Sequence, residues 1–330
     1  MFVQPSELLG LSAEQTAPPR HLIVPWAFSS EPEALRALQA LPPSSTGHLQ
    51  QLLRGMRICE RDSGSADSLS PPHERALARL LGWQHLPDGL LPWAARCAPA
   101  AGRHAWAWVS LCHWAMGREQ ASLTNPQLLQ IGPEESDALL QAMQPYFESE
   151  GIDLHPVWPG HWLGMGEVFN QPTASLDRVI ARNVDPWLPG GPNARLLRRL
   201  QNEMQMLLYT HPVNQARGAR GQLPINSLWF SGSGRLPAEN SPRPSVHVTH
   251  QLAEAALSED APAYAQAWIQ LDKTCVAQLL EQQLQGHTVE LTLCGERGWL
   301  RLQSITAGLL GRLAHRLVAP SWPALMREAL

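Results

Sequence analysis

The sequence predicts an α/β fold in which a mainly parallel sheet is flanked by helices. Short apolar segments with branched and aromatic residues alternate along the chain with longer segments that show helical spacing. With 330 residues, of which 44% are hydrophobic and 16% charged, the chain can form one large domain or two ordinary ones around a buried core. Disordered, collagen-like and coiled-coil classes are therefore excluded.

The first third of the chain predicts one strand and two helices. Residues 21–26 are a short apolar strand, and Pro25 must lie at its end because proline cannot donate a ladder hydrogen bond. Residues 33–41 predict a helix that stops at Pro42 and Pro43. Residues 72–81 begin with proline and are followed by Gly82, an asymmetry typical of a helix. The polar residues 62–70 predict a loop before it.

The middle of the chain predicts a strand, two helices and a hairpin. Aromatic and branched residues dominate positions 104–116, which favours a strand. Apolar spacing predicts a helix over residues 134–148, followed by strands at 152–158 and 161–166 that join at Pro159 and Gly160 as in a hairpin. The longest helix of this part is predicted over residues 193–210.

The last third continues the alternation. Residues 225–230 predict a strand that leads directly into a glycine turn at 231–235. Residues 246–249 resemble a strand edge, residues 263–285 a helix, and residues 288–293 a strand that ends before Gly295. The chain shows no internal repeat.

Charge and cysteine content limit the function classes. The formal net charge is −4, so no overall positive field attracts nucleic acid or an anionic membrane. There is no apolar run near 18 residues and no signal-peptide pattern, so we expect a cytoplasmic protein that binds neither membrane nor nucleic acid. The five cysteines are scattered, which fits neither a disulfide framework nor a cysteine-rich zinc site.

One segment departs from the acidic balance. Residues 178–220 hold seven arginines against Asp185 and Glu203, a local charge of +5. These arginines either line a solvated helix face and pair with acidic neighbours, or form an anion site. Arginine forks and the backbone amides of a glycine-rich turn are the donors that phosphate oxygens accept from, which is the basis of the second interpretation.

A family resemblance is carried by residues 211–235, HPVNQARGARGQLPINSLWFSGSGR. This run resembles the matching stretch of archaeal-type cofactor-independent phosphoglycerate mutases of the alkaline phosphatase superfamily, with their Asn, Arg, Gly and Asn before a strand and a Gly-x-Gly turn. Asp185-Pro186, residues 67–82 and the helix around Asp272 resemble further stretches of the same family. The whole chain also resembles a proteobacterial group of RpfE-type regulatory proteins.

The resemblance implies a domain plan and a ligand site. The polar, proline-bearing residues 1–20 predict an N-terminal extension. For the rest, the resemblance implies an alkaline phosphatase-like core with a first half at 21–116, an inserted α+β cap domain at 117–220 and a second half at 221–330. Strands near His21, His104, Ile225 and Thr288 are then expected to share one alkaline phosphatase-like sheet. The side chains and turn residues that would bind a phosphate or carboxylate are Asn214, Arg217, Arg220, Asn226, Gly232, Gly234 and Arg235.

The sequence departs from the family where metals would bind. Enzymes of that superfamily hold two divalent metals with Asp and His and activate a Ser or Thr nucleophile. Here no carboxylate follows the first strand before Glu31, and Cys294 to Gly298 replace the expected Gly-Asp-His. Histidines 73, 113, 155, 161, 247 and 250 are interpreted as packed or surface residues. Ser29, Ser68 and Ser70 are candidate remnants of a nucleophile, with no assignable base.

The sequence therefore favours a phosphoglycerate mutase-like pseudoenzyme that has lost its metals and acts as an anion-binding or regulatory protein. No catalytic residue, metal ligand or cofactor is assigned to it, and a small anionic ligand or a protein is its expected partner. The main alternative is an active phosphomutase or phosphatase that uses Mn²⁺ or Mg²⁺. A third interpretation is a structural partner protein whose surface is rich in tryptophan, since the chain has 13 of them.

Overall fold

The computed structural model of the chain describes residues 20–29, 31–98, 102–118, 120–237 and 245–305, together with Trp322 and Leu325. Its strands are β1 His21–Val24, β2 Met56–Ser63, β3 Trp106–Met116, β4 Ala121–Thr124, β5 Asp153–Trp158, β6 His161–Met165, β7 Ser227–Gly234, β8 Val246–Val248, β9 Glu290–Cys294 and β10 Gly298–Ser304.

The helices alternate with these strands. They are α1 Pro32–Gln39, α2 Gly47–Leu53, α3 Pro72–Leu80, α4 Trp93–Cys97, α5 Pro133–Glu148, α6 Leu176–Val179, α7 Ala194–Thr210, α8 Pro212–Ala219, α9 Ala253–Leu257, α10 Ala261–Leu271 and α11 Ala277–Leu284. A π-helical turn, Asp272–Val276, joins α10 to α11, and short 3₁₀ turns lie at Pro43–Thr46, Pro126–Leu129, Glu167–Phe169 and Asp185–Trp187. No helix in the described part of the chain is long and apolar enough to cross a membrane.

The chain divides into two compact units. The terminal unit comprises the described residues of 12–67, 71–82 and 242–330, and the central unit comprises those of 68–70 and 83–241. The predicted N-terminal extension, residues 1–20, lies outside the described residues except for Arg20.

The terminal unit is built on a mixed five-stranded sheet in the order β2-β10-β9-β1-β8. Strands β9, β1 and β8 run parallel, with His21 opposite Glu290 on one side and Val246 on the other. Strand β10 runs antiparallel to both β9 and β2. Leu22, Val24 and Leu291 pack with apolar residues of the unit's helices into one buried cluster. All four residues of β1 are buried, as is typical of a parallel strand covered on both faces.

The central unit is built on an antiparallel sheet around β3. This eleven-residue strand pairs with β4, β6 and β7, while β5 pairs with β6. Trp162, Phe147 and Phe230 are almost wholly buried in its main apolar cluster, to which α5 and α7 also contribute. Residues 153–165 form the predicted hairpin, and Gly160 at its turn has a positive φ of 79°.

The structure confirms the α/β class and corrects the sheet arrangement. The prediction that strands near His21, His104, Ile225 and Thr288 share one sheet is wrong, because β1 and β9 lie in one sheet whereas β3 and β7 lie in the other. The sheets are mixed and antiparallel, and parallel pairing is confined to β9, β1 and β8 among the described strands. Alternation of strands and helices specifies neither which strands pair nor their direction, because pairing depends on residues far apart in sequence.

The predicted domain boundaries at residues 117 and 220 both fall inside the central unit. The division into two core halves and an inserted cap stays a prediction. Any such division must be consistent with the pairing of β3 with both β6 and β7.

The sequence does not predict strands β2 and β10, and these two strands share one feature. Residues 62 and 63 fall in the predicted loop, yet residues 56–63 form β2, in which the exposed Arg57, Cys59, Arg61 and Ser63 alternate with more buried residues. Strand β10 has a similar mixture with Arg301 and Gln303. Strands that expose one face to water alternate in this way, whereas the prediction relied on continuous apolar runs.

Most helices lie where the spacing predicts them. The predicted helices over 33–41, 72–81, 134–148 and 193–210 correspond to α1, α3, α5 and α7 within about two residues. The predicted helix 263–285 is one helical run interrupted by the π turn at Asp272.

Two histidines, the buried His21 and the partly buried His161, are held in their neutral form. His21 lies 3.3 Å from the Glu290 carboxylate and 2.8 Å from Thr292 Oγ1, yet burial and then the Arg301 guanidinium lower its pKa to about 3. In the central unit, His161 Nδ1 lies 3.0 Å from Ser110 Oγ, and burial lowers its pKa to about 4. Both imidazoles are therefore neutral near pH 7.

The lowered pKa of His161 predicts a pH dependence of stability. Below pH 6.5 the imidazole is protonated in the unfolded chain, whereas in the folded chain it is protonated only near pH 4. The free energy of unfolding therefore decreases as the pH is lowered from 6.5 to 4. His161→Gln should make this slope shallower by at most about 1.4 kcal/mol per pH unit. Urea unfolding across this range measures it. The exposed His85→Gln serves as control, and equal slopes for the wild type and His161→Gln would contradict the assignment.

Candidate functional site

The segment that resembles a known family folds as helix α8, a turn and strand β7, all in the central unit. Asn214 on α8 donates from Nδ2 to the carbonyls of Leu208 (2.8 Å) and Ile225 (2.6 Å), and its Oδ1 accepts from Ile225 N (2.8 Å). Asn226 binds both backbone groups of Trp114, accepting at 2.7 Å and donating at 2.9 Å. The two amides therefore fasten this segment to its neighbours.

Arg217 is a buried cation with internal partners. Its side chain is 1% exposed. Nη1 donates to Glu135 Oε2 at 2.7 Å, Nη2 to the carbonyl of Leu129 at 2.6 Å, and Nε to that of Leu223 at 2.8 Å. The anion that this guanidinium binds is thus a carboxylate of the same chain, supplied by the first turn of α5.

Arg220 shares the same carboxylate from the solvent side. Its Nη2 donates to Glu135 Oε1 at 2.6 Å and its Nε to Gln222 Oε1 at 2.8 Å. The side chain is 52% exposed, and the described residues offer Nη1 no partner. Arg217, Arg220 and Glu135 together carry a formal charge of +1, so this cluster keeps one exposed donor and a positive balance.

The glycine segment is a strand instead of the predicted turn. Ser231 to Gly234 continue β7 and pair with β3 through an irregularity near Trp106. Gly232 has a φ of 59°, and a Cβ there would lie 3.1 Å from Trp93 Cβ and 3.2 Å from Trp108 Cδ1. These glycines therefore allow close packing. The turn was predicted from the composition of the segment, which does not reveal the pairing with β3.

Arg235 lies apart from the other predicted ligand residues. It follows Gly234 at the far end of β7 and pairs with Glu167, and its Nη1 donates to the carbonyl of Arg103 at 3.1 Å. Eight strand residues span about 26 Å. The structure therefore brings Asn214, Arg217, Arg220 and Asn226 to one end of β7 and leaves Gly232, Gly234 and Arg235 toward the other.

A second candidate region is the carboxyl edge of the parallel strands in the terminal unit, where open α/β sheets bind their ligands. Strand β1 is followed by Pro25 and then Trp26, whose φ of 59° is unusual for a bulky residue. The Trp26 carbonyl accepts a hydrogen bond from Tyr264 Oη, and Ala27 and Phe28 are buried. This turn is therefore apolar and held from inside the unit.

Polar groups at this region come from α3 and from the end of β8. His73 and Glu74, in the first turn of α3, are buried, and the His73 ring lies edge to face with that of His250, with centroids 6.1 Å apart. Arg75 Nη2 donates to Asp62 Oδ2 at 2.6 Å and to the carbonyl of Arg297 at 2.5 Å. The interpretation of His73 and His250 as packed histidines agrees with this contact.

The resemblance implies a two-metal site at this edge of the sheet. Hard divalent cations need several carboxylate or imidazole ligands that converge on one point. Across the described ranges, no group of three or more His, Cys, Asp or Glu side chains is placed to hold a metal ion. Cys294, in the run that replaces the family's Gly-Asp-His, is buried, and burial raises the pKa of its thiol.

Two important carboxylates were not recognised in the sequence as partners. Glu135 follows Gly132 and Pro133, and its Oε2 accepts from Gly132 N at 3.3 Å, which caps the start of α5. Asp272, 2% exposed, accepts from the amides of His48 (3.3 Å) and Leu49 (2.7 Å) at the start of α2. The capping pattern was a readable signal for Glu135, whereas nothing local announces the long-range bonds of Asp272.

Comparison with known proteins gives a weak relationship over part of the chain. No protein-family model matches. The chain is 26% identical over 110 residues to the 2,3-bisphosphoglycerate-independent phosphoglycerate mutase of Methanosarcina mazei, covering 32% of this chain and 28% of that protein. It is 32% identical over 80 residues to the enzyme of the same name from Methanothrix thermoacetophila, covering 24% and 19%. The matches span less than a third of these curated relatives.

Solved structures give a similar picture. The cofactor-independent phosphoglycerate mutase from Thermoplasma acidophilum superposes with a TM-score of 0.32 at 13% identity, covering 88% of this chain and 92% of that one. A protein from Pyrococcus horikoshii superposes with a TM-score of 0.43 at 13% identity, covering 96% and 99%. The relationship to cofactor-independent phosphoglycerate mutases therefore rests on sequence similarity at low identity.

The pairing of Arg217 with Glu135 predicts a stability effect. Glu135→Gln keeps the shape of the side chain but removes the charge opposite a buried guanidinium, so the free energy of unfolding should fall by about 1.5–3 kcal/mol. Urea unfolding measures the change. The exposed neighbouring Glu134→Gln is the matched control and should stay within about 0.5 kcal/mol of wild type. Equal stability of the two variants would show that Arg217 does not depend on Glu135.

Proposed function

We propose that this chain is a relative of cofactor-independent phosphoglycerate mutases that no longer catalyses metal-dependent phosphoryl transfer and works as a binding or regulatory protein. The observation that carries this proposal is the make-up of the carboxyl edge of β1 and β9. Trp26, Ala27 and Phe28 form a buried apolar turn there, and Arg297 follows β9. Arginine cannot coordinate a metal ion.

The proposal includes recognition of a small anion, a phosphate or carboxylate, at the Arg220 end of β7. The bonds of Asn214, Arg217 and Asn226 to protein groups support a structural role for these three side chains. Arg220 differs because it is half exposed and its Nη1 faces no described partner. A ligand would add bonds to that nitrogen while Glu135 continues to hold the rest of the cluster.

An active metal-dependent phosphomutase or phosphatase is the second candidate. It is favoured by the names of the relatives that the sequence matches, all of which are phosphoglycerate mutases. Under this alternative, side chains such as His73, Glu74 and His250 would have to join further groups as Mn²⁺ or Mg²⁺ ligands.

The leading proposal also includes a regulatory role of the RpfE type and a location in the cytoplasm.

Turnover and ligand binding measured on the same protein test the proposal. We expect no interconversion of phosphoglycerates above background with added Mn²⁺ or Mg²⁺. In calorimetric titrations with 3-phosphoglycerate, Arg220→Ala should weaken binding roughly tenfold, since a bond to a charged donor contributes about 1.5–3 kcal/mol.

Arg235→Ala is the matched control, because Arg235 also pairs with a carboxylate but lies at the far end of β7. It should leave the affinity unchanged. Metal-dependent turnover that disappears on mutation of an Asp or His would establish the enzyme instead. If 3-phosphoglycerate does not bind, or if Arg220→Ala and Arg235→Ala behave alike, the anion-binding part is wrong.

A further inference from the structure

A thiol and an imidazole lie in contact in the terminal unit. Cys275 Sγ lies 3.7 Å from His247 Nε2, within hydrogen-bonding reach for sulfur. Gln251 Nε2 donates toward the same sulfur at 3.8 Å, and Thr274 Oγ1 lies 3.9 Å from it. The Thr274 hydroxyl donates its proton to the Gln270 carbonyl at 2.8 Å, so the sulfur has an imidazole nitrogen on one side and the Gln251 amide as a donor on another. A thiol next to an imidazole and a donor is the environment of a nucleophile.

The backbone around this pair is specialised. Cys275 belongs to the π-helical turn Asp272–Val276 inside an otherwise α-helical run, and π turns of this kind recur at functional sites. The buried carboxylate of Asp272 anchors the start of the turn through the amides at the start of α2. His247 lies at the centre of β8, exposed between two buried valines. Both partners are thus placed by fixed elements, and the imidazole reaches solvent.

The other cysteines lack this environment. Burial raises the pKa of the Cys97 thiol to about 12 and raises those of Cys112 and Cys294 further. Cys59 is exposed, and its Sγ donates to the carbonyl of Arg301 at 3.3 Å with no imidazole as its hydrogen-bond partner. Cys275 is partly exposed and adjoins a base.

From this juxtaposition we infer that Cys275 is a nucleophilic thiol, with His247 as its proton acceptor, and that it is modified by low-molecular-weight disulfides. The inference is independent of the proposed loss of phosphoryl transfer. It assigns the surface formed by the π turn and β8 as a site of reversible S-thiolation.

The exchange reaction balances without a further reactant. As Sγ attacks one sulfur of the disulfide, its proton moves to His247 Nε2, a new S–S bond forms and the disulfide bond of the reagent breaks. The leaving thiolate then takes the proton from the imidazolium and departs as a free thiol. Burial lowers the pKa of His247, so near neutral pH the ring is in the neutral form that accepts a proton. Gln251 donates to the sulfur as negative charge develops there.

The test is the reaction of the full-length wild-type protein with glutathione disulfide near neutral pH, followed by intact mass and peptide mapping. We expect one mixed disulfide to form first at Cys275, well ahead of Cys59. His247→Gln should slow this step roughly tenfold or more, because it removes the proton acceptor. His85→Gln, at an exposed position of the central unit, is the matched control and should react at the wild-type rate.

The wild-type site distribution needs no variant and decides the question even if His247→Gln fails to fold. Labelling of Cys59 as fast as that of Cys275 would overturn the inference. An unchanged rate in a folded His247→Gln protein would equally overturn it, since Cys275 would then react without the imidazole. Gln251→Leu should slow the reaction less than His247→Gln, because it removes a hydrogen-bond donor to the sulfur but leaves the base in place.

Discussion

The buried guanidinium of Arg217 is the constraint around which the central unit is arranged. A cation with 1% of its side chain exposed must be paired and hydrogen-bonded, because an uncompensated buried charge costs several kcal/mol. The chain meets this need with the Glu135 carboxylate from α5 and the carbonyls of Leu129 and Leu223. These bonds join helix α8 to the start of α5 and to the turn before β7. Asn214 binds Ile225 at the end of that turn, and Asn226 binds Trp114 of β3.

These bonds give Arg217 a structural role, although its segment resembles an anion site. Part of the chain is similar to cofactor-independent phosphoglycerate mutases at low identity, but the charge of Arg217 is already paired within the chain. In the terminal unit, the apolar turn after β1 and the bond from Arg75 to the Arg297 carbonyl lie where the resemblance would place metal ligands. These two observations come from separate units, and the proposed function rests on them.

Local features were predictable from the sequence and non-local ones were not. The bounds of α3, α5 and α7 follow from proline and glycine placement and from apolar spacing, which act within a few residues. The assignment of β7 to the sheet of β3 depends on pairing across more than a hundred residues, and no local pattern encodes it. The same limit applies to the site. Arginines 217 and 220 stand out by composition. Their pairing with Glu135 and the contact of Cys275 with His247 join residues far apart in sequence, so these contacts exist only after folding.

The most direct test of the account is the metal content of the full chain after equilibration with excess Mn²⁺ or Zn²⁺ and removal of free ions. A phosphoryl-transfer site of the related enzymes would hold two ions with converging carboxylate and imidazole ligands. The described residues at the carboxyl edge of β1 and β9 offer no such set, and under the proposed function we expect substoichiometric metal and no shift of the melting temperature on metal addition. Two tightly bound ions per chain would contradict it and would restore the interpretation as an active enzyme.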